Sequence, residues 1–117
     1  MKILIVEDDD NIMLVLQEYI GVQGIACDTA RCIRTAMACM EKVNYDIIFL
    51  DILLEGEFST PLIGIARDWY SDNPPKIVII SAMAGSAKIA ESYRVYKYLP
   101  KPFDLETIDE IILENKH

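Results

Sequence analysis

No stretch of this sequence approaches the ~20 apolar residues that a membrane-spanning helix needs, and runs such as residues 47–50 and 77–80 stop far short of it. A membrane partner is therefore not expected. Met1-Lys2 leads straight into an apolar run with no small-residue cleavage site of the signal-peptide kind, so a cytoplasmic location is expected. Positive charge is also scarce, with 11 Lys and Arg against 19 Asp and Glu and a net charge of -8. Affinity for phosphate backbones comes from clustered cations, which argues against direct nucleic-acid binding. The cysteines are few and odd in number: Cys27, Cys32 and Cys39 form no CxxC and no Cys/His metal spacing. A disulfide framework or zinc site is thereby excluded, and the three are expected to be reduced and to serve as small buried apolar residues. Internal repeats, low-complexity tracts and linkers are absent as well, so residues 1–117 read as one domain.

What the sequence does contain is apolar substance, 52% of its residues, arranged in alternating short and long segments. Residues 2–6 (KILIV) read as a strand, followed by the acidic turn 7–10 and a helix carried by Ile12, Leu16 and Ile20. Residues 21–24 interrupt it; 25–29 form a second strand, and 33–43 repeat apolar residues at helical spacing. Residues 45–50 (YDIIFL) are a third strand, and an irregular polar stretch at 55–59 leads to Thr60-Pro61, a cap with proline at the first helical position, opening a helix to about Tyr70. Asn73-Pro74-Pro75 must break that helix before strand 76–81 (KIVIIS). Ser86 is the expected cap of a helix over 87–96, a short strand occupies 98–101, and Asp104 caps a last helix from 105 to about 114. Five β/α units in succession imply an α/β fold: a doubly wound, mostly parallel sheet with right-handed crossovers and helices on both faces.

In open sheets of this kind ligands bind beyond the carboxyl ends of the strands. Polar residues follow the apolar runs there: Glu7-Asp8, Asp51, Ser81 and Lys101. One carboxylate after a strand is ordinarily a turn residue or a cap; four strand ends bearing such residues point to a site. Glu7, Asp8 and Asp51 are hard oxygen ligands suited to Mg²⁺. Lys101 and Ser81 offer a positive charge and a hydroxyl for phosphoryl oxygens, and Asp51 is placed to act as a carboxylate nucleophile forming an aspartyl phosphate.

The motifs ILIVEDD at 3–9, DIIFLD at 46–51, VIISA at 78–82 and YLPKPF at 98–103 together resemble the receiver domain of response regulators over nearly the whole chain. The resemblance implies a flavodoxin-like five-stranded sheet of order 2-1-3-4-5. It implies a phosphoacceptor switch of a two-component phosphorelay, not a turnover enzyme, catalysing only its own phosphorylation and dephosphorylation. Asp51 would take the phosphoryl group from a sensor histidine kinase or phosphotransfer protein. Mg²⁺ would be held by Asp8, Asp51 and the main-chain carbonyl at Leu53, with Glu7 acting mostly through water. Lys101 would be aimed by a cis bond to Pro102. Ser81 would turn toward the phosphoryl group and Tyr98 inward, altering the face of helix 4, strand 5 and helix 5 read by a downstream partner or effector domain. Tyr93, Tyr96 and Tyr98 are candidate anchors on that face.

The chain departs from the family pattern at LLEGEFST, residues 53–60, where a proline and an Asp-Gly pair are usual, and at Tyr93, Arg94 and Val95, where small residues are usual. The loop after strand 3 is therefore left open. A phosphatase of the haloacid-dehalogenase type would need a carboxylate where Leu53 stands, and an FMN carrier would meet repulsion from residues 7–10. A pseudo-receiver that uses the fold only for protein contacts is the remaining alternative. Whether the chain acts alone or as part of a longer protein is not readable from these residues.

Overall fold

The strands with the most β-branched residues lie where both faces of a sheet are covered. In the computed structural model, which describes residues 1–116, β1 (Lys2–Val6), β3 (Ile47–Asp51) and β6 (Lys76–Ser81) are buried almost throughout. They form the middle of a parallel five-stranded sheet, flanked by β2 (Ala26–Ala30) beside β1 and β7 (Lys97–Pro100) beside β6. The order is β2-β1-β3-β6-β7. Counting sheet strands alone this is the expected 2-1-3-4-5, because β4 (Leu53–Leu54) and β5 (Glu57–Phe58) pair only with each other.

Alternation along each strand divides the apolar side chains between two cores. Ile3, Ile5, Phe49, Val78 and Ile80 point to one face, against Leu16 and Ile20 of α1 (Asp10–Val22) and Ile108, Ile111 and Ile112 of α5 (Leu105–Asn115). Leu4, Val6, Ile48, Leu50 and Ile79 point to the other. There they meet Ala36 and Met40 of α2 (Ile33–Lys42), Ile63 and Ala66 of α3 (Pro61–Trp69) and Ala90 of α4 (Ser86–Ser92). Each fully buried Ile, Leu or Phe contributes about 1.5–3 kcal/mol of transfer free energy. Among the described residues no helix is long and apolar enough to cross a membrane.

Several local expectations require correction. The N-cap of α4 is Gly85 at φ 84, a left-handed conformation suited to glycine, so Ser86 is the first helical residue and not the cap. That helix ends at Ser92, well short of Tyr96. Thr60 and Asp104 stand at the N-caps of α3 and α5, but neither side chain makes a capping hydrogen bond; the cap that does is Asp9, which accepts from the amides of Asn11 and Ile12. All three cysteines are free, yet only half-buried. Burial pushes the Cys27 thiol up to about 11, with Asp28 adding to the effect.

Segment 53–58 is a tight hairpin, pairing Leu53 with Phe58 and Leu54 with Glu57. Its two turn residues, Glu55 and Gly56, have φ 49 and 83, the two positive values of a type I′ turn. The other departure has its own solution. Arg94 at φ 51 occupies the left-handed position that ends α4; its amide donates to Glu91 O, and that of Val95 to Ala90 O, forming a Schellman closure without glycine. From α3, Arg67 donates to the carbonyl oxygens of Tyr93 (2.6 Å) and Arg94 (3.1 Å), neutralising the negative end of α4. Arg67→Ala is expected to lower stability by about 1–2 kcal/mol in urea unfolding, through loss of these two charge-assisted bonds. Arg94→Gly is expected to raise it by up to about 1 kcal/mol, through relief of the left-handed strain.

Candidate functional site

Because all five sheet strands run parallel, their carboxyl ends lie along one edge. Glu7 follows β1 directly, Asp51 ends β3, Ser81 ends β6 and Lys101 follows β7. Backbone bonds hold these ends in place: Glu7 N donates to Ala30 O and Lys101 N to Ser81 O, each at 3.0 Å. The Lys101-Pro102 peptide is cis.

Lys101 Nζ lies 2.6 Å from Glu7 Oε1 and 3.0 Å from Asp51 Oδ2. Glu7 is fully buried, and Asp51 is only 7% exposed. One carboxylate oxygen from each of Glu7, Asp8 and Asp51 lies within 4.8 Å of the others. Asp9 N donates to Glu7 Oε2 at 3.1 Å, and Glu55 N donates to Asp8 Oδ2 at 2.9 Å, so the turn of the hairpin helps to hold the acidic loop. Leu53 N donates to Asp51 Oδ1 at 3.4 Å, while the Leu53 side chain is 39% exposed.

Like charges at this spacing disfavour joint ionisation, and burial disfavours it further. Burial pushes Glu7 up to about 7; Asp51 adds to the rise, and Lys101 with the Asp9 amide opposes it. For Asp8 partial burial acts upward but is outweighed by the Glu55 amide and Glu7, and the carboxyl lies below its ordinary range. Burial of Lys101 would lower its ammonium, yet contacts with Glu7 and Asp51 overcome this and hold it higher.

The structure therefore brings Glu7, Asp8, Asp51 and Lys101 together. Ser81 stands at the adjoining strand end with its hydroxyl turned to other partners: it accepts from Met83 N at 3.0 Å and lies 2.9 Å from Ser86 Oγ. Tyr98, opposite Ile79 in the sheet, is half-buried and packs against the core beneath α2, α3 and α4. Two residues escaped the sequence reading. Ser59, fully buried, donates from Oγ to the Asp51 carbonyl at 2.5 Å and pins the backbone of the central carboxylate. Ser86 was expected only as a cap. Ser59 lies in the link between β5 and α3, and Ser86 opens α4; neither position carries a periodic signal in the sequence.

Among the described residues, Glu7 Oε1 is buried and accepts no hydrogen bond of regular geometry; the ammonium contact is its ion-pair partner. A buried carboxylate oxygen without a full partner set, beside two further carboxylates, fits a hard divalent cation better than a closed polar core.

The chain matches the family model for the response regulator receiver domain over residues 3–113. Among curated proteins it is similar to the sensory transduction protein LytR of Staphylococcus haemolyticus, 31% identical over 121 residues, covering 100% of this chain and 46% of that one. Among solved structures, a two-component response regulator from Clostridium difficile aligns with TM-score 0.86 at 26% identity, over 97% of this chain and 93% of that one. The response regulator TrrA from Thermotoga maritima, in complex with Mg(2+)-BeF, aligns with TM-score 0.82 at 27% identity, over 97% and 96%. The chain spans between about a quarter and about half of the length of the curated relatives it matches.

Glu7 sets a pH dependence whose sign is fixed. Its carboxyl is raised on folding from 4.5 to about 7, so the stability tied to its protonated form is complete below pH 4.5 and is lost as pH rises through 7. Asp8, held low, contributes with the opposite sign and at lower pH; Lys101, held high, contributes with the same sign as Glu7 and only in strong alkali. With a chelator present, the melting temperature is expected to fall between pH 5 and pH 7.5, by the equivalent of up to about 3 kcal/mol. Glu7→Gln is expected to flatten that slope. Thermal melts across this range check both.

Proposed function

Because the chain belongs to the response regulator receiver family, we propose that it is a phosphoacceptor switch in which Asp51 takes a phosphoryl group from the phosphohistidine of a sensor histidine kinase or phosphotransfer protein. The observation that carries this reading is the placement of Asp51, 3.0 Å from the Lys101 ammonium and beside the carboxylates of Glu7 and Asp8. A carboxylate in that setting is a nucleophile with its own charge stabiliser at hand.

Asp51 attacks phosphorus through a carboxylate oxygen as the P–N bond to the donor breaks and its imidazole leaves, while the Asp51 main chain is kept still by Ser59. Lys101, already paired to Asp51 Oδ2, stays with the group that becomes the acyl phosphate and faces the added negative charge. Asp8, Asp51 and the carbonyl of Leu53 would hold Mg²⁺, with Glu7 acting through water. The ion would supply charge neutralisation at the phosphoryl oxygens. Ser81 turns its hydroxyl to a phosphoryl oxygen, and Tyr98 follows inward, so that the face of α4, β7 and α5 changes for a downstream partner or effector domain. The protein acts on itself alone and carries signal, with no substrate released as product. The acidic surface suits a protein partner and not nucleic acid.

Incubation with acetyl phosphate and Mg²⁺ is expected to add one phosphoryl group by intact mass, and Asp51→Asn is expected to abolish it; an adduct that persists in that variant would place the acceptor elsewhere. Mg²⁺ alone is expected to raise the melting temperature, by the equivalent of about 2.7 kcal/mol at a hundredfold excess over Kd. Asp8→Asn should lose most of that response. Leu53 and Met83, two residues beyond Asp51 and Ser81, are apolar groups flanking the path of attacking water. The adduct is therefore expected to be long-lived, and Leu53→Asn with Met83→Glu to hasten its loss in a time course of intact mass.

A further inference from the structure

Ser81, which ends β6, and Ser86, which opens α4, are each 1% exposed. A hydroxyl so placed is costly unless it is bonded. The bonds present nearly close on themselves. Met83 N donates to Ser81 Oγ at 3.0 Å, and Ser86 Oγ stands 2.9 Å from Ser81 Oγ and 2.7 Å from Met83 O. Ser86 has one proton and two acceptors within reach, so it serves only one of them at a time. When that proton goes to the Met83 carbonyl, the contact between the two hydroxyls is kept by the proton of Ser81, and the ring of Met83 amide, Ser81, Ser86 and Met83 carbonyl is complete. When it goes to Ser81, the Ser81 oxygen accepts twice. In both arrangements Ser81 is tied to the first residue of α4.

We propose that Ser86 is a positioning residue that holds the Ser81 hydroxyl in its resting orientation, and that releasing this hydrogen bond couples occupation of the Asp51 site to the first turn of α4. The inference rests on the phosphoacceptor reading above. When Ser81 turns away, Ser86 keeps the Met83 carbonyl as acceptor at 2.7 Å, so its buried hydroxyl is not orphaned, while the part-buried Met83 amide gives up the Ser81 oxygen. Ser86 contributes about one neutral hydrogen bond to the resting state, a bias that a phosphoryl oxygen, as a charged acceptor, can overcome. The first turn of α4 loses its tie to β6 at that moment, while its far end stays held by Arg67 at Tyr93 and Arg94.

The test is a double-mutant cycle on the full chain, using beryllofluoride with saturating Mg²⁺ as a non-covalent phosphoryl mimic and NMR to follow the titration. Ser86→Ala is expected to lower the beryllofluoride midpoint about two- to tenfold, the span of one neutral hydrogen bond. The same change in a Ser81→Ala background should leave the midpoint unmoved, and Ser86→Thr, which keeps the hydroxyl, should stay close to the unmodified protein. In the untreated protein Ser86→Ala should also speed amide exchange over residues 83–89. Should Ser86→Ala fail to fold, Ser86→Cys, a weaker donor, reads the same midpoint. An unchanged or raised midpoint in Ser86→Ala, or an equal shift in both backgrounds, would overturn the inference while leaving the phosphoacceptor reading intact. An unmodified protein that binds no beryllofluoride would sink that reading, and this inference with it.

Discussion

The ammonium of Lys101 is what permits Glu7 and Asp51 to be buried side by side. Without a cation between them, two carboxylates withdrawn from water would each cost several kcal/mol and would repel one another. Lys101 relieves this only in part. It touches Glu7 at 2.6 Å and Asp51 at 3.0 Å, and still Glu7 is held near 7 by its burial. One positive charge facing three carboxylates leaves the edge of the sheet negative and short of donors, which is the condition for binding a further cation.

The rest of the architecture serves to hold that arrangement. Parallel strands deliver Glu7, Asp51, Ser81 and Lys101 to a common edge, and two cores on opposite faces of the sheet keep the strands in register. Around this edge the loops act as braces. The amides of Asp9 and Glu55 donate to Glu7 and Asp8, and Ser59 fixes the main chain of Asp51. The hairpin after β3 is thus more than a connection: its type I′ turn places Glu55 N against Asp8 Oδ2, a contact that spans 47 residues of chain.

At the C-terminal end of α4 the protein uses side chains where a small residue is the common device. Arg94 adopts the left-handed position of the closing motif, and Arg67 takes up the carbonyls exposed there. At the other end Ser86 ties the helix to Ser81. α4 is a short helix between two tethers, and its setting depends on what the tethered groups face.

The five strands, the five helices apart from the cap and far end of α4, and the polar residues at the strand ends were legible in the sequence because each rests on a local regularity. A β-branched run of five or six residues has few other uses, and a carboxylate, serine or lysine just after it must lie at the strand's end whatever the rest of the chain does. Motifs at 3–9, 46–51, 78–82 and 98–103 therefore carried the resemblance to the family, and the strand order was what that resemblance implied. Only the tertiary structure decided the remainder. Whether residues 53–58 form a hairpin depends on Glu55 accepting a positive φ, which is offset by the long-range bond to Asp8. That Ser86 faces Ser81 and is not a cap depends on Gly85 taking the left-handed cap. The short end of α4 depends on Arg67, brought from another helix. The first and last of these are contacts between residues far apart in the chain, worth about 1 kcal/mol each, and no local propensity encodes a partner that folding alone brings into reach.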